Sequence, residues 1–175
     1  MENLNSRQLG IGELTALLNV ADSTVKHWAQ QGVLVTDPYK KHRRYDEREV
    51  IIAHVLASLA PYHIPAPVLK IVAEAIREVA DSGPGDAGWS ADAHLNSGMK
   101  DALAGRPAFL MLHVDPQPDV GGRPRVQLWC APSRAKLEHE KDRWTKYGGA
   151  AVIEIDLRIA LDGARRYLNG GGQDA

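Results

Sequence analysis

The stretch IGELTALLNVADSTVKHWAQQGVLVTDPYKKHRRY, residues 11–45, carries two short helical patterns followed by an extended, basic one. Ile11, Leu14, Leu17 and Leu18 recur at helix spacing, with Glu13 in the first turn, where the helix dipole favours an anion. Asn19-Val20-Ala21-Asp22 breaks the pattern, and Asp22 or Ser23 is available to cap the amides of a second helix. That helix turns Val25, Trp28 and Ala29 inward. It stops at Gly32, the residue most at ease in the left-handed conformation of a helix end. Two helices joined by a short turn, the second opening with Ser23, Thr24, Lys26 and His27, fit a helix-turn-helix whose second helix enters the major groove. Val33-Leu34-Val35-Thr36 and Lys40-Lys41-His42-Arg43-Arg44-Tyr45 flank a turn at Asp37-Pro38, which predicts a β-hairpin wing.

Charge points the same way. Between Ser23 and Tyr45 there are five Lys/Arg and one acidic residue, with His27 and His42 in addition. The whole chain balances 21 Lys+Arg against 22 Asp+Glu. A basic cluster in a neutral protein concentrates phosphate attraction on one face, where a uniformly basic chain would bind polyanions indiscriminately.

Taken in order, Ile11-Gly12-Glu13-Leu14, Val20 through Trp28 with Lys26 and His27, Gly32-Val33-Leu34, and His42-Arg43-Arg44-Tyr45-Asp46 with Val50 resemble the winged helix-turn-helix of MerR-type regulators. The resemblance continues through Ala57-Ser58-Leu59 and Ile64 to about Val79, and so covers the first half of the chain. It implies repression or activation of a promoter, often by bending or untwisting DNA between two half-sites. Members usually extend this region into a long antiparallel coiled coil that makes the dimer. Here the stripe Val68, Val72, Ala75, Ile76 and Val79 lasts about four turns before Asp81-Ser82-Gly83-Pro84-Gly85, too short for a sustained coil.

Length and composition bound the remainder. At 175 residues the chain holds one domain or two small ones, its apolar fraction of 44% is that of a folded protein, and no apolar run has the length of a membrane span. Met1 to Gly10 is polar, lacks the apolar core of a secretory signal and reads as a loose arm over its first nine residues. Cys130 is the only cysteine, so no intrachain disulfide forms and a reducing, cytoplasmic setting is expected.

Further along, Asp46 and Glu49 have the spacing of a capping box opening a third helix, with Val50, Ile51, Ile52, Val55, Leu56 and Leu59 apolar and an end near Pro61. Pro65 and Pro67 suit the entry of a fourth. His54 and His63, nine apart, read as a core-edge residue and a loop residue rather than a metal pair. Beyond Gly83 to Gly88, a helix capped at Ser90 carries Leu95, Met99, Ala102 and Leu103. Strands follow at Phe109–Val114 and Arg125–Cys130, then a charged helix from about Ser133 to Tyr147, a strand at Val152–Leu157, and a last helix from near Asp156 with Leu157, Leu161, Ala164 and Leu168 as its stripe. That order calls for at least one crossover connection.

The fold class is therefore α+β. An N-terminal winged helix-turn-helix, mostly helical with a β-hairpin wing, spans 1–82. A linker occupies 83–89, a small α/β domain for self-association or ligand sensing occupies 90–170, and 171–175 is a tail. The function that follows is a sequence-specific double-stranded DNA-binding transcription regulator, with recognition helix 23–31 in the major groove and wing 33–45 on the phosphate backbone. Lys26 and His27 are the candidates for base or phosphate contact, and Ser23 and Thr24 sit where a helix N-terminus holds a phosphate. Arg43 and Arg44 match the wing's arginines, within a run that also holds Lys40, Lys41 and His42. Tyr45 is either a phosphate donor or a packing residue at the wing's base.

In the second half, His113, Asp115 and Cys130 would make a nucleophile constellation if the two strands brought them together. The plainer reading of Cys130, amid Leu128, Trp129 and Ala131, is a small buried apolar residue. One cysteine cannot furnish a thiolate metal site, and no phosphate cradle or ligand spacing is present. No cofactor, metal or catalytic activity is expected. The partners are double-stranded DNA and a second copy of the chain, paired through the α/β domain. The alternatives are an architectural, excisionase-like or phage packaging DNA-recognition protein and, further off, a DNA-targeted enzyme using Cys130 and His113.

Overall fold

The computed structural model describes residues 8–36, 42–81, 91–115, 120–145 and 152–170. Lys40, Lys41, the Asp37-Pro38 turn, the linker at 83–89, the cap at Ser90 and the tail at 171–175 lie outside them.

A two-residue strand, β1 (Leu9–Gly10), leads into α1 (Ile11–Leu18) and α2 (Asp22–Gln30). Asn19 ends α1 in the left-handed conformation, φ 54°, which Asn tolerates better than most residues. The Thr15 hydroxyl then donates to Asp22 Oδ1 at 2.7 Å and fixes one helix against the other. Asp22 is thus the first residue of α2 and not its cap; Ala21 takes that place with no side-chain bond. Gly32, φ +67°, closes α2: its amide donates to Ala29 and the Val33 amide to Trp28, the paired bonds of a Schellman end.

The expected hairpin between 33–36 and 40–45 does not form among the described residues. Val33 and Leu34 are buried in the core, and the Val33 carbonyl and Val35 amide are taken by side chains. The strand that does form, β2 (Arg44–Tyr45), pairs antiparallel with β1, Leu9 opposite Tyr45 and Gly10 opposite Arg44. Leu9 is buried by this pairing and is no part of a loose arm.

Asp46 caps α3 (Glu47–Leu59), accepting from the Glu49 amide at 2.9 Å. The reciprocal half of a capping box is not made, because the Glu49 carboxylate is committed elsewhere. It meets Arg77 of α4 (Ala66–Asp81) in a two-point pair, Nε to Oε1 at 2.6 Å and an Nη to Oε2 at 2.9 Å. The same guanidinium donates to the Val33 carbonyl at 2.6 Å, and Glu49 Oε2 accepts from the Val35 amide at 2.8 Å. With both side chains mostly buried, this pair joins α3, α4 and the segment leaving α2.

Helix α3 is buried nearly all round: Val50, Ile52, Ala53, Val55, Leu56 and Leu59 have no exposed surface. That is the signature of a helix enclosed by other elements rather than lying on a surface. The helix packs against α1, α4, α7 (Leu157–Ala160) and α8 (Asp162–Leu168). Asp156, near the expected start of the last helix, caps α7, but that helix is two short ones broken at Leu161. A single apolar cluster runs from Leu9 to Tyr167, so the core does not divide at the 83–89 segment.

The second sheet has the order β4-β3-β5, with β3 (Phe109–Asp115) antiparallel to both β4 (Arg125–Ala131) and β5 (Val152–Asp156). β4 and β5 therefore run parallel to each other, and α6 (Arg134–Thr145) makes the expected crossover. Leu110, Leu112, Leu128, Cys130 and Ile155 face the main core with α5 (Ala91–Leu103). Met111 and Ala131 meet Leu137 of α6 on the opposite face. A Cβ added at Gly98 would lie 2.5 Å from the Cβ of Cys130, so a glycine lets α5 approach β4 closely. No helix among the described residues is long and apolar enough to cross a membrane.

Removing one partner of the Glu49–Arg77 pair leaves a buried charge uncompensated, so Arg77→Met is expected to cost about 3–5 kcal/mol in urea denaturation. Glu49→Leu combined with Arg77→Met removes both charges and costs less than the two single changes added together. Strict additivity would show that the pair carries no coupling.

Burial pushes the His54 imidazole down from its usual 6.5 to about 4, partly offset by its hydrogen bond to the Ala160 carbonyl. Between those values the unfolded chain binds the proton and the native one does not. Stability from this residue is intact above pH 6.5 and is lost as pH falls towards 4, by on the order of 3 kcal/mol. Against His54→Asn, the wild type is therefore expected to lose more stability across that window. Parallel curves would remove His54 as the source.

Candidate nucleic-acid interface

One face of α2 carries Asp22, Ser23, Lys26, His27 and Gln30, all exposed, at helical spacing opposite the buried Val25 and Trp28. The burial of Trp28 and Val25 fixes the rotation of the helix, and therefore which side chains look outward. Lys26 and Gln30 line a concavity of about 510 Å³ together with His42, Arg43, Arg44, Gly10 and Ile11. The second helix and the basic strand thus contribute to one hollow. The β1–β2 pairing makes this possible, because it anchors Arg44 beside the N-terminus of α1 and brings His42 and Arg43 back past α2.

The cations of this hollow differ in how they are held. The Arg44 guanidinium lies 3.6 Å from Glu13, whose carboxylate also accepts from the Gly10 amide at 2.7 Å. Arg44 is a half-exposed residue oriented by an acid. Lys26 lies 3.9 Å from Asp22, with both side chains more than half exposed, a pair too solvated to hold either strongly. Arg43 and His42 are exposed, and Arg43 has no ion-pair partner among the described residues. Each of these charges remains available to an anion in solution.

Of the sequence-derived candidates, Ser23, Lys26, His27, His42 and Arg43 are exposed; Thr24 and Arg44 are half-exposed. Lys40 and Lys41 lie outside the described residues. Tyr45 is a correction. It is fully buried, and burial raises the pKa of its phenol above the usual 10. It packs in the core beneath the β1–β2 pair, the second of the two roles its sequence position left open, and offers no hydroxyl to a ligand. Gln30 is the residue sequence reasoning missed, although its position seven beyond Ser23 and four beyond Lys26 places it on the same helix face.

The constellation of His113, Asp115 and Cys130 is not assembled. Cys130 pairs with Leu110 and His113 with Gln127, an odd offset along β3 that puts the two side chains on opposite faces of the sheet. The thiol is buried against α5, and burial alone pushes its pKa up to about 12, the reverse of an activated nucleophile. His54 is buried and His63 exposed, at the end of a short helical turn in the left-handed conformation. Among the described residues no group of three His, Cys, Asp or Glu is placed to hold a metal ion.

No protein-family model matches the chain, and no curated protein matches it.

Proposed function

We propose that the chain is a sequence-specific double-stranded DNA-binding regulator of transcription that resembles the MerR type in its first half and acts in the cytoplasm as a homodimer. One observation carries this reading: Lys26 and Gln30 of α2 share a hollow with His42, Arg43 and Arg44, on a helix face that is uncovered. An exposed helix with donors along one side, beside a basic strand, offers base-edge contacts and phosphate contacts from a single surface. Phosphate contacts fix the register of the protein on the duplex, and the side chains of α2 read the groove.

Pairing follows from energetics. A single module contacts few base pairs, and much of its affinity is independent of sequence. Two modules at fixed spacing add their contacts and read a palindrome. Helix α4 ends its regular pattern at Asp81 and is only 16 residues long. The edges of the three-stranded sheet, β4 and β5, are the surfaces we assign to dimerisation instead.

Selection from random DNA, followed by gel-shift titration at several salt concentrations, tests the proposal. Arg43→Ala is expected to weaken binding across all sequences and to lower the log–log salt slope by about one, as loss of one phosphate contact does. Lys26→Ala is expected to relax sequence preference at one position of each half-site. Recovery of the same motif by both proteins would reduce Lys26 to an electrostatic contact, and failure to select any motif would sink the regulator reading.

A further inference from the structure

Sharing no lining residue with the hollow beside α2, a second concavity of about 620 Å³ lies between α1, α3 and the α7–α8 segment. Three guanidinium groups line it, Arg158, Arg165 and Arg166, against the single carboxylate of Asp162. Asp162 spends one oxygen on Arg165 at 2.6 Å and the other on Arg166 at 2.9 Å. A guanidinium has five N–H donors, so each arginine is oriented by this contact and still has donors to offer. Arg158 is exposed and has no acidic partner among the described residues. The volume is that of a small-molecule site, and the excess of positive charge selects an anion.

The histidine in the wall of this cleft adds a second demand. His54 is more than nine-tenths buried, and its hydrogen bond to the Ala160 carbonyl uses one ring nitrogen as donor. The other, Nε2, has no partner. In a neutral imidazole that nitrogen is an acceptor, and leaving a buried acceptor unmade costs free energy. Gly163, also in the cleft wall, packs directly against the ring; a Cβ there would run into it.

We propose that this cleft binds a small hydroxylated organic anion, its carboxylate or phosphate group on Arg158, Arg165 and Arg166 and its hydroxyl donating to His54 Nε2. Gly163 covers Nε2 in this structure, so engagement by the hydroxyl requires the first turn of α8 to shift. The site does not depend on the DNA-binding reading. Its walls join Leu17 of the first helix to the C-terminal segment, so an occupant touches both halves of the chain.

Isothermal titration of the full chain at neutral pH with two matched pairs tests this: citrate against tricarballylate, and glycerol 3-phosphate against propyl phosphate. Within each pair the second compound keeps the anion and lacks hydroxyl. At least one hydroxylated anion is expected to bind, with its matched compound about tenfold weaker, the equivalent of one hydrogen bond to a buried partner. The pair that binds identifies the anion as carboxylate or phosphate. Arg158→Gln and Arg166→Gln are each expected to weaken binding about tenfold, as loss of a charge-assisted hydrogen bond does. In the wild-type protein, the ¹⁵N resonance of His54 Nε2 moves upfield on binding, a readout that needs no variant at the buried position. No heat with any of the four compounds at millimolar concentration overturns the proposal. So does equal affinity within both pairs, or binding that ignores both arginine changes.

Discussion

A carboxylate and a guanidinium meet where three pieces of chain converge, and the arrangement of the N-terminal half depends on them. Glu49 comes from α3, Arg77 from α4, and between them they take the Val33 carbonyl and the Val35 amide. The backbone leaving α2 has no strand partner for these groups among the described residues, so the ion pair supplies it. Desolvating two charges is costly, and such a pair contributes little net stability against a well-packed apolar alternative. Its effect is directional: fork and carboxylate match in one geometry, and that geometry sets where the chain goes after the second helix.

Around that pair the core is organised on α3. Two glycines mark close approaches in this core, one of α8 onto α3 and one of α5 onto β4. Gly163 lets α8 come down on the His54 ring, and Gly98 lets α5 come down on Cys130. Neither residue sits in a turn; each is where a side chain would collide with a buried neighbour. The result is one apolar cluster shared by the N-terminal helices and the segment that carries the three-stranded sheet. A perturbation at α7–α8 is therefore felt by α3, and α3 in turn packs on α1.

The two concave surfaces differ in construction. In the hollow beside α2, the cations are loosely held and well solvated, suited to long-range attraction and to contacts that salt weakens. At the α7–α8 cleft, two arginines share one carboxylate near a buried imidazole. Of the two, Arg165 is the more buried and Arg166 stays largely in solvent, so the cleft joins one oriented donor to one solvated one.

The amino-acid sequence determined by itself what is local and periodic. The apolar spacing of Leu14, Leu18, Val25 and Trp28, the left-handed glycine at 32, the Asp46 and Asp156 caps and the alternation of the sheet residues each act within a few neighbours. Those signals placed the helices, the three-stranded sheet and the exposed face of α2. Only the tertiary structure decided what rests on distant partners. It paired Tyr45 with Leu9 instead of with the 33–36 segment, and by burying the tyrosine decided for packing over the phosphate donor that its sequence position also left open. It turned Glu49 away from its cap towards Arg77, 28 residues on. Arg77 follows Leu69 and Ala73 at four-residue intervals along the inward face of α4, so its burial was legible, but not its partner. A strand register separates Cys130 from His113, and nothing in either local sequence fixes which residue of one strand faces which residue of the other. Local spacing sets which face a residue takes; the energy of what it meets there belongs to chain segments the local pattern does not contain.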